Sequence, residues 1–154
     1  MTETNEENTE ERKYFRSHIV AIDRAIENED WFSGFSNAVT YFEYWGYWRL
    51  HWYCLKEHIE EYGKTKYLNA SSLLTILYLL KEIDANTFNK MIKVIKERNK
   101  LIHPISTDSG MTYRDTKEKD RATELLNDAK ECISKVKEGV GKHNVSHPAK
   151  QTNP

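Results

Sequence analysis

The sequence contains few residues that interrupt or cross-link a chain. Its 154 residues include only six Gly, three Pro and two Cys. So few turn-forming residues favour long helices over a β fold with many turns. Cys54 and Cys132 are isolated, and neither belongs to a Cys-x-x-Cys pair. This pattern argues against a disulfide framework or a zinc ribbon and predicts two reduced thiols.

Long apolar runs are missing as well. No run approaches the ~18 apolar residues that a membrane-spanning helix requires. Residues 1–11 are acidic, whereas a secretion signal begins with a basic segment followed by an apolar one. We therefore expect a soluble, cytoplasmic protein without a membrane partner. The length suits one compact domain.

The charge is almost balanced, with 23 Lys and Arg against 24 Asp and Glu, and this balance argues against a dedicated nucleic-acid binder. However, residues 1–11 contain five Glu and no basic side chain. We interpret them as a disordered acidic tail, residues 12–140 as the folded domain, and residues 141–154 as a flexible C-terminal tail without apolar periodicity. Without the acidic tail the chain is mildly basic, so an RNA partner is not excluded.

Apolar residues recur at helical spacing in five segments. The second segment is expected to run for about 30 residues from Trp31 to Gly63, where the glycine ends it. Asn69, Ser71 or Ser72 is available to cap the third, and Asp84 the fourth. The pattern predicts an all-α, up-and-down bundle of four main helices plus an N-terminal helix. The five segments are 15–26, 31–63, 73–80, 85–103 and 122–136.

The end of the fourth segment carries the candidate chemistry, in the stretch RNKLIHP from Arg98 to Pro104. Because the residue before a proline is disfavoured in helical geometry, His103 is expected at the free helix end with Arg98 one turn back. A His that titrates near neutral pH can take a proton from a ribose 2′-hydroxyl or give one to a leaving 5′-oxygen. An adjacent Arg can bind the scissile phosphate and stabilise its transition-state charge. The pair predicts metal-free RNA cleavage by internal transphosphorylation.

This stretch resembles the motif of the HEPN superfamily, in which Arg and a polar residue, often Asn, are followed by three variable residues and His. The resemblance implies a bundle of four to five helices that homodimerises, so that two motifs form one metal-independent endoribonuclease site without a cofactor. It assigns catalysis to Arg98 and His103 and a supporting role to Asn99. It also implies a toxin, defence or stress role, with an antitoxin or regulatory protein as a further partner.

One position departs from this resemblance. Members of the family that are paired with nucleotidyltransferase antitoxins usually have a Tyr two residues after the His. This chain has Ile105 there, and Tyr113 is too far along to replace it. Control by modification of that tyrosine is therefore not expected.

Two other functions fit the same residues. The bundle can be a non-catalytic dimerisation or protein-interaction module, with Arg98 capping the helix or paired with an acidic neighbour. It can also bind RNA without cleaving it. The fourth segment favours RNA contact through Lys93, Lys96 and Lys100, although a basic helix surface is also typical of a merely solvated face.

Aromatic residues are concentrated in the second segment. Eleven of the 18 aromatics, including all four Trp, lie in residues 31–53. They cover every side of a helix, so some of them must be exposed or lie in an interface. We favour a dimer interface over stacking on RNA bases.

The sequence offers little for a metal or a cofactor. His51 and His58 lie seven residues apart, but no third ligand is apparent, so ordinary surface or packing histidines are expected. No glycine-rich phosphate loop is present, and nucleotide hydrolysis is not supported. We expect neither a metal nor a cofactor.

Overall fold

The computed structural model describes residues 3–59, 68–102, 113 and 115–141, with side chains described from residue 13 to residue 137. These residues form five helices and no strand, which confirms the predicted all-α bundle. The helices are α1 (Glu3–Glu27), α2 (Trp31–Lys56), α3 (Ala70–Leu79), α4 (Ala85–Ile102) and α5 (Thr116–Gly141).

α2 packs against each of the other four helices, and its contacts show that it runs antiparallel to α1. On α1 and α2, Ala25 lies beside Gly34 and the ring of Tyr14 lies 6.3 Å from that of Tyr41. The shortest of these helices is the ten-residue α3, which packs on α2 and α4. The N-terminal helix α1 belongs to the bundle, because its Ile22 is completely buried.

Three helices end in the same backbone motif, and none of them uses glycine. In α2, the N–H of Ile59 donates to the carbonyl of Cys54, and that of His58 donates to Leu55. These paired bonds satisfy terminal carbonyls and require one residue with positive φ. His58 adopts φ 54°, and Glu29 and Lys81 do the same after α1 and α3.

The second helix therefore ends earlier than the sequence indicates. Gly63 was expected to terminate it, but α2 ends at Lys56, and Gly63 lies outside the described residues. The reason is that His58 accepts the left-handed conformation that glycine usually provides. Sequence patterns favour glycine for this position, so they do not reveal a histidine there.

The first helix begins at Glu3 and so includes most of the segment interpreted as an acidic tail. No Gly or Pro interrupts residues 3–27, and glutamates are favourable near the positive N-terminal end of a helix dipole. The division of the chain at residues 11 and 141 stays a prediction. Residues 142–154 lie outside the described part.

The core sits between α2 and the helices around it. Phe35 and Phe42 are completely buried, together with Leu73 of α3 and Leu126 of α5. At Gly46 a Cβ would lie 2.7 Å from the Leu73 side chain, so glycine permits the close packing of α3 on α2. Within the described residues, no helix combines the length and apolar character needed to span a bilayer.

Candidate functional site

The predicted fourth helix is observed, and it places Arg98 in an unusual position. Asp84 caps α4 as expected, because its carboxylate accepts a hydrogen bond from the Thr87 N–H at 2.9 Å. The buried face of the helix carries Met91 and Val94. Arg98 follows Val94 by four residues and therefore continues this apolar face towards the end of the helix.

Arg98 is half-buried, and its Nε atom is buried without a hydrogen-bond partner among the described residues. A buried, unpaired donor costs free energy, and such groups are rare in folded proteins. Asn99 is exposed on the adjacent face. His103 lies outside the described residues, so its approach to Arg98 stays a prediction.

The acidic neighbour of Arg98 is bound by three other side chains. Glu97 is buried, and its Oε1 accepts hydrogen bonds from Tyr113 Oη at 2.6 Å and Arg121 Nη2 at 2.7 Å. Its Oε2 accepts a third from Lys100 Nζ at 3.1 Å. The alternative in which Arg98 pairs with an acidic neighbour therefore does not apply to Glu97.

This network keeps Glu97 ionised. Burial alone would raise the pKa of its carboxyl, but the hydrogen bonds from Tyr113 and Lys100 and the charge of Arg121 hold that pKa below its ordinary value. The pKa of Tyr113 is raised by burial and by the adjacent Glu97 carboxylate. The phenol is therefore a hydrogen-bond donor at neutral pH.

Sequence reasoning did not identify Tyr113 and Arg121 as parts of this site. One signal was present, because Glu97 follows Val94 by three residues and precedes Leu101 by four. A carboxylate in an apolar register predicts a buried charge that needs partners. Only the fold shows that the partners come from residue 113 and from α5.

The basic face of α4 is formed by Lys93, Lys96 and Lys100, which are all exposed. Lys90 instead forms ion pairs with Asp128 and Glu131 of α5, each at 2.8 Å. Hydrogen bonds to these two carboxylates raise the pKa of Lys90, so this cation joins helices rather than adding to the basic face.

A surface cleft of about 440 Å³ lies at the end of the bundle where α4 ends and α2 begins. Tyr113 connects the cleft to the Glu97 network, and its ring lies 5.7 Å from that of Trp31. The cleft combines aromatic walls with both signs of charge. Its lining residues are Glu29, Asp30, Trp31, Phe32, Leu101, Tyr113 and Lys119.

The aromatic residues of α2 divide between core and surface, as the sequence indicated. Phe42 and Trp45 are buried, whereas Trp48 and Trp52 are 50% and 59% exposed. Together with the exposed Leu55, these two Trp form an apolar surface that we call the α2 stripe. Trp48 follows Trp31 by 17 residues, which is about 25 Å of helix, so the stripe lies far from the cleft.

Three further nucleophilic or ligating side chains of the described residues are buried. Cys54 and Cys132 are free and buried, as expected. Burial lowers the pKa of His18, whose Nδ1 lies 3.2 Å from the Asn37 carbonyl. In the described part of the chain, no three His, Cys, Asp or Glu side chains form a group that could hold a metal ion.

Comparison of the chain with protein-family models, with curated proteins and with solved structures finds no match. The HEPN resemblance therefore depends on the RNKLIHP stretch and on the helical architecture alone.

Proposed function

We propose that this protein is a metal-independent endoribonuclease of the HEPN type. The observation that carries the proposal is Arg98, a cation in the apolar register of α4 whose Nε is buried without a partner among the described residues. Its acidic neighbour Glu97 is bound by other side chains. A buried donor that has no partner in the described part of the chain is typical of a functional residue.

In the proposed reaction, the ribose 2′-oxygen attacks the adjacent phosphorus as its proton passes to His103 of one motif. The bond from phosphorus to the 5′-oxygen breaks, and the leaving oxygen receives a proton from the second motif of a homodimer. Arg98 stabilises the charge of the phosphorane-like transition state, and Asn99 positions the phosphate. The products are a 2′,3′-cyclic phosphate and a 5′-hydroxyl.

A shared site requires that the motif ends of two copies meet. The exposed apolar side chains at that end include Phe32, which is 50% exposed, and Ile102, which is 37% exposed. We place the homodimer interface there and the activity in the cytoplasm, in a toxin, defence or stress role restrained by an antitoxin or a regulatory protein. A charged residue at Phe32 would then dissociate the dimer and reduce cleavage together.

Cleavage of a fluorescent single-stranded RNA in EDTA tests the catalytic proposal. Wild type should cleave, and Arg98→Ala should lower kcat about 10²- to 10³-fold, the range for removal of a transition-state donor. His103→Ala should lower it about 10²- to 10⁴-fold. Arg24→Ala, which removes an exposed Arg near the end of α1, is the matched control and should cleave normally. Equal cleavage by all variants, or none by wild type, contradicts the proposal.

The α2 stripe favours a second candidate function, a protein-interaction module. Trp48, Trp52 and Leu55 are spaced by four and three residues, as in a helix that packs against another helix. This function predicts no RNA cleavage and a change of assembly in Trp52→Glu, whereas the nuclease predicts that Trp52→Glu cleaves like wild type. Light scattering and the cleavage assay on the same samples separate the two.

A further inference from the structure

One buried carboxylate draws together cations from two helices beside Arg98. Glu97 accepts from Lys100 of its own helix at 3.1 Å and from Arg121 of α5 at 2.7 Å. The two cations bind different oxygens of the carboxylate, so their nitrogens lie at most about 8 Å apart. They can therefore contact the same short segment of a ligand.

The charge balance at Glu97 differs from that of the neighbouring interhelical pairs. Each of those pairs joins one cation to one carboxylate. They are Lys119 with Glu29, Lys130 with Asp23, and Lys135 with Asp84. At Glu97 two cations share one carboxylate, and Arg98 adds a third positive charge at the next residue. This cluster has an excess of positive charge after its internal pairing.

Exposure shows where this excess charge is directed. The side chain of Glu97 is 8% exposed, whereas those of Lys100 and Arg121 are 65% and 54% exposed. An ammonium group has three N–H donors and a guanidinium group has five, so each can bind a carboxylate and a second anion at the same time. Asp120 and Glu124, which flank Arg121 on α5, are exposed and form no ion pair with it.

We propose that Lys100 and Arg121, which are both hydrogen-bonded to Glu97, form a phosphate-binding pair that contacts the RNA backbone next to Arg98. This inference rests on the proposed function for its ligand, single-stranded RNA, and adds Arg121 to the residues that contact it. Long basic side chains lose conformational entropy when they bind a phosphate. Anchoring by Glu97 removes part of that cost before the RNA arrives.

The test measures binding of a uniformly 2′-O-methylated oligonucleotide of about 12 nucleotides, which has no 2′-hydroxyl and cannot be cleaved by transphosphorylation. Anisotropy titrations compare wild type with Arg121→Gln and Lys100→Gln across salt concentrations of about 25 to 200 mM. Lys135→Gln is the matched control, because Lys135 is also on α5, is 50% exposed and has a single acidic partner. Thermal melting checks that each variant is folded.

We expect Arg121→Gln and Lys100→Gln each to weaken binding about tenfold at low salt, the effect of losing one charge-assisted hydrogen bond. Each should also reduce the slope of log K against log salt by about 0.7, the value for one single-strand phosphate contact. Lys135→Gln should change neither quantity. If Arg121→Gln has a lowered Tm, the comparison depends on Lys100→Gln, because Lys100 is mostly exposed and its replacement should disturb the fold less.

The inference is overturned if wild type does not bind the oligonucleotide at low salt, or if both variants bind like Lys135→Gln. Failure of the proposed catalytic function would give a different pattern of results. In that case wild type cleaves no RNA, but the two variants still bind the 2′-O-methylated strand more weakly than the control does.

Discussion

Replacement of Arg98 by Met should separate a functional arginine from a structural one. Met preserves most of the aliphatic length and has almost the same helix propensity as Arg. The substitution removes the buried Nε that lacks a partner among the described residues. If Arg98 is maintained for catalysis, the variant should lose activity but gain stability.

The expected change in the free energy of unfolding follows from two opposing effects. A buried unpaired donor costs about 1–3 kcal/mol, and its removal recovers that amount. A cation near a helix C-terminus contributes about 0.3–1 kcal/mol through the helix dipole, and this contribution is lost. The burial effect is larger, so Arg98→Met should raise the free energy of unfolding by about 1 kcal/mol and the Tm by about 3 °C.

Urea and thermal unfolding, followed by helical circular dichroism, measure this change. Arg24→Met is the matched control, because Arg24 is exposed in the last turn of α1 and loses only the dipole contribution. Cleavage by Arg98→Met should fall at least about 10²-fold. If Arg98→Met is less stable than Arg24→Met, Arg98 stabilises the bundle and the argument from its unpaired Nε is wrong.

Two further predictions concern the Glu97 network and the helix ends. Glu97→Gln should lower the free energy of unfolding by about 1–3 kcal/mol at pH 7, because it removes a buried charged acceptor. Folding lowers the pKa of Glu97, so the stabilisation that its carboxylate provides is present above the ordinary carboxyl pKa and is lost as pH falls below it. The free energies of unfolding of wild type and Glu97→Gln should therefore become equal in acid. Lys81→Gly should raise the free energy of unfolding by about 0.5–1 kcal/mol, because Lys81 holds φ 60° at the end of α3. Lys56→Gly, at the last residue of α2, should lower it. Equal shifts in the two unfolding curves would contradict this prediction.

Helix positions could be predicted well wherever a local interaction defines the end. Asn69 caps α3 and Asp84 caps α4, both as their chemistry indicates. The end of α2 could not be predicted, because a histidine takes the left-handed conformation at residue 58. That choice depends on how the chain leaves the helix, which is a property of the tertiary fold.

The candidate site likewise has a part that the sequence predicts and a part that depends on the tertiary fold. The RNKLIHP stretch is local, so the sequence alone identifies Arg98, Asn99 and His103 as candidates and α4 as their helix. Tyr113 and Arg121 are 16 and 24 residues from Glu97, and no periodicity links them to it.

The sequence by itself determined the all-α class, the main helices and the candidate residues, because apolar spacing, caps and proline act over a few residues. Only the tertiary structure decided which Lys and Arg side chains are bound to carboxylates. Lys90 is bound to α5, Lys100 and Arg121 share Glu97, and Arg98 has a buried Nε without a partner in the described part of the chain. These differences arise because the energy of a charge depends on its burial and on partners from distant segments.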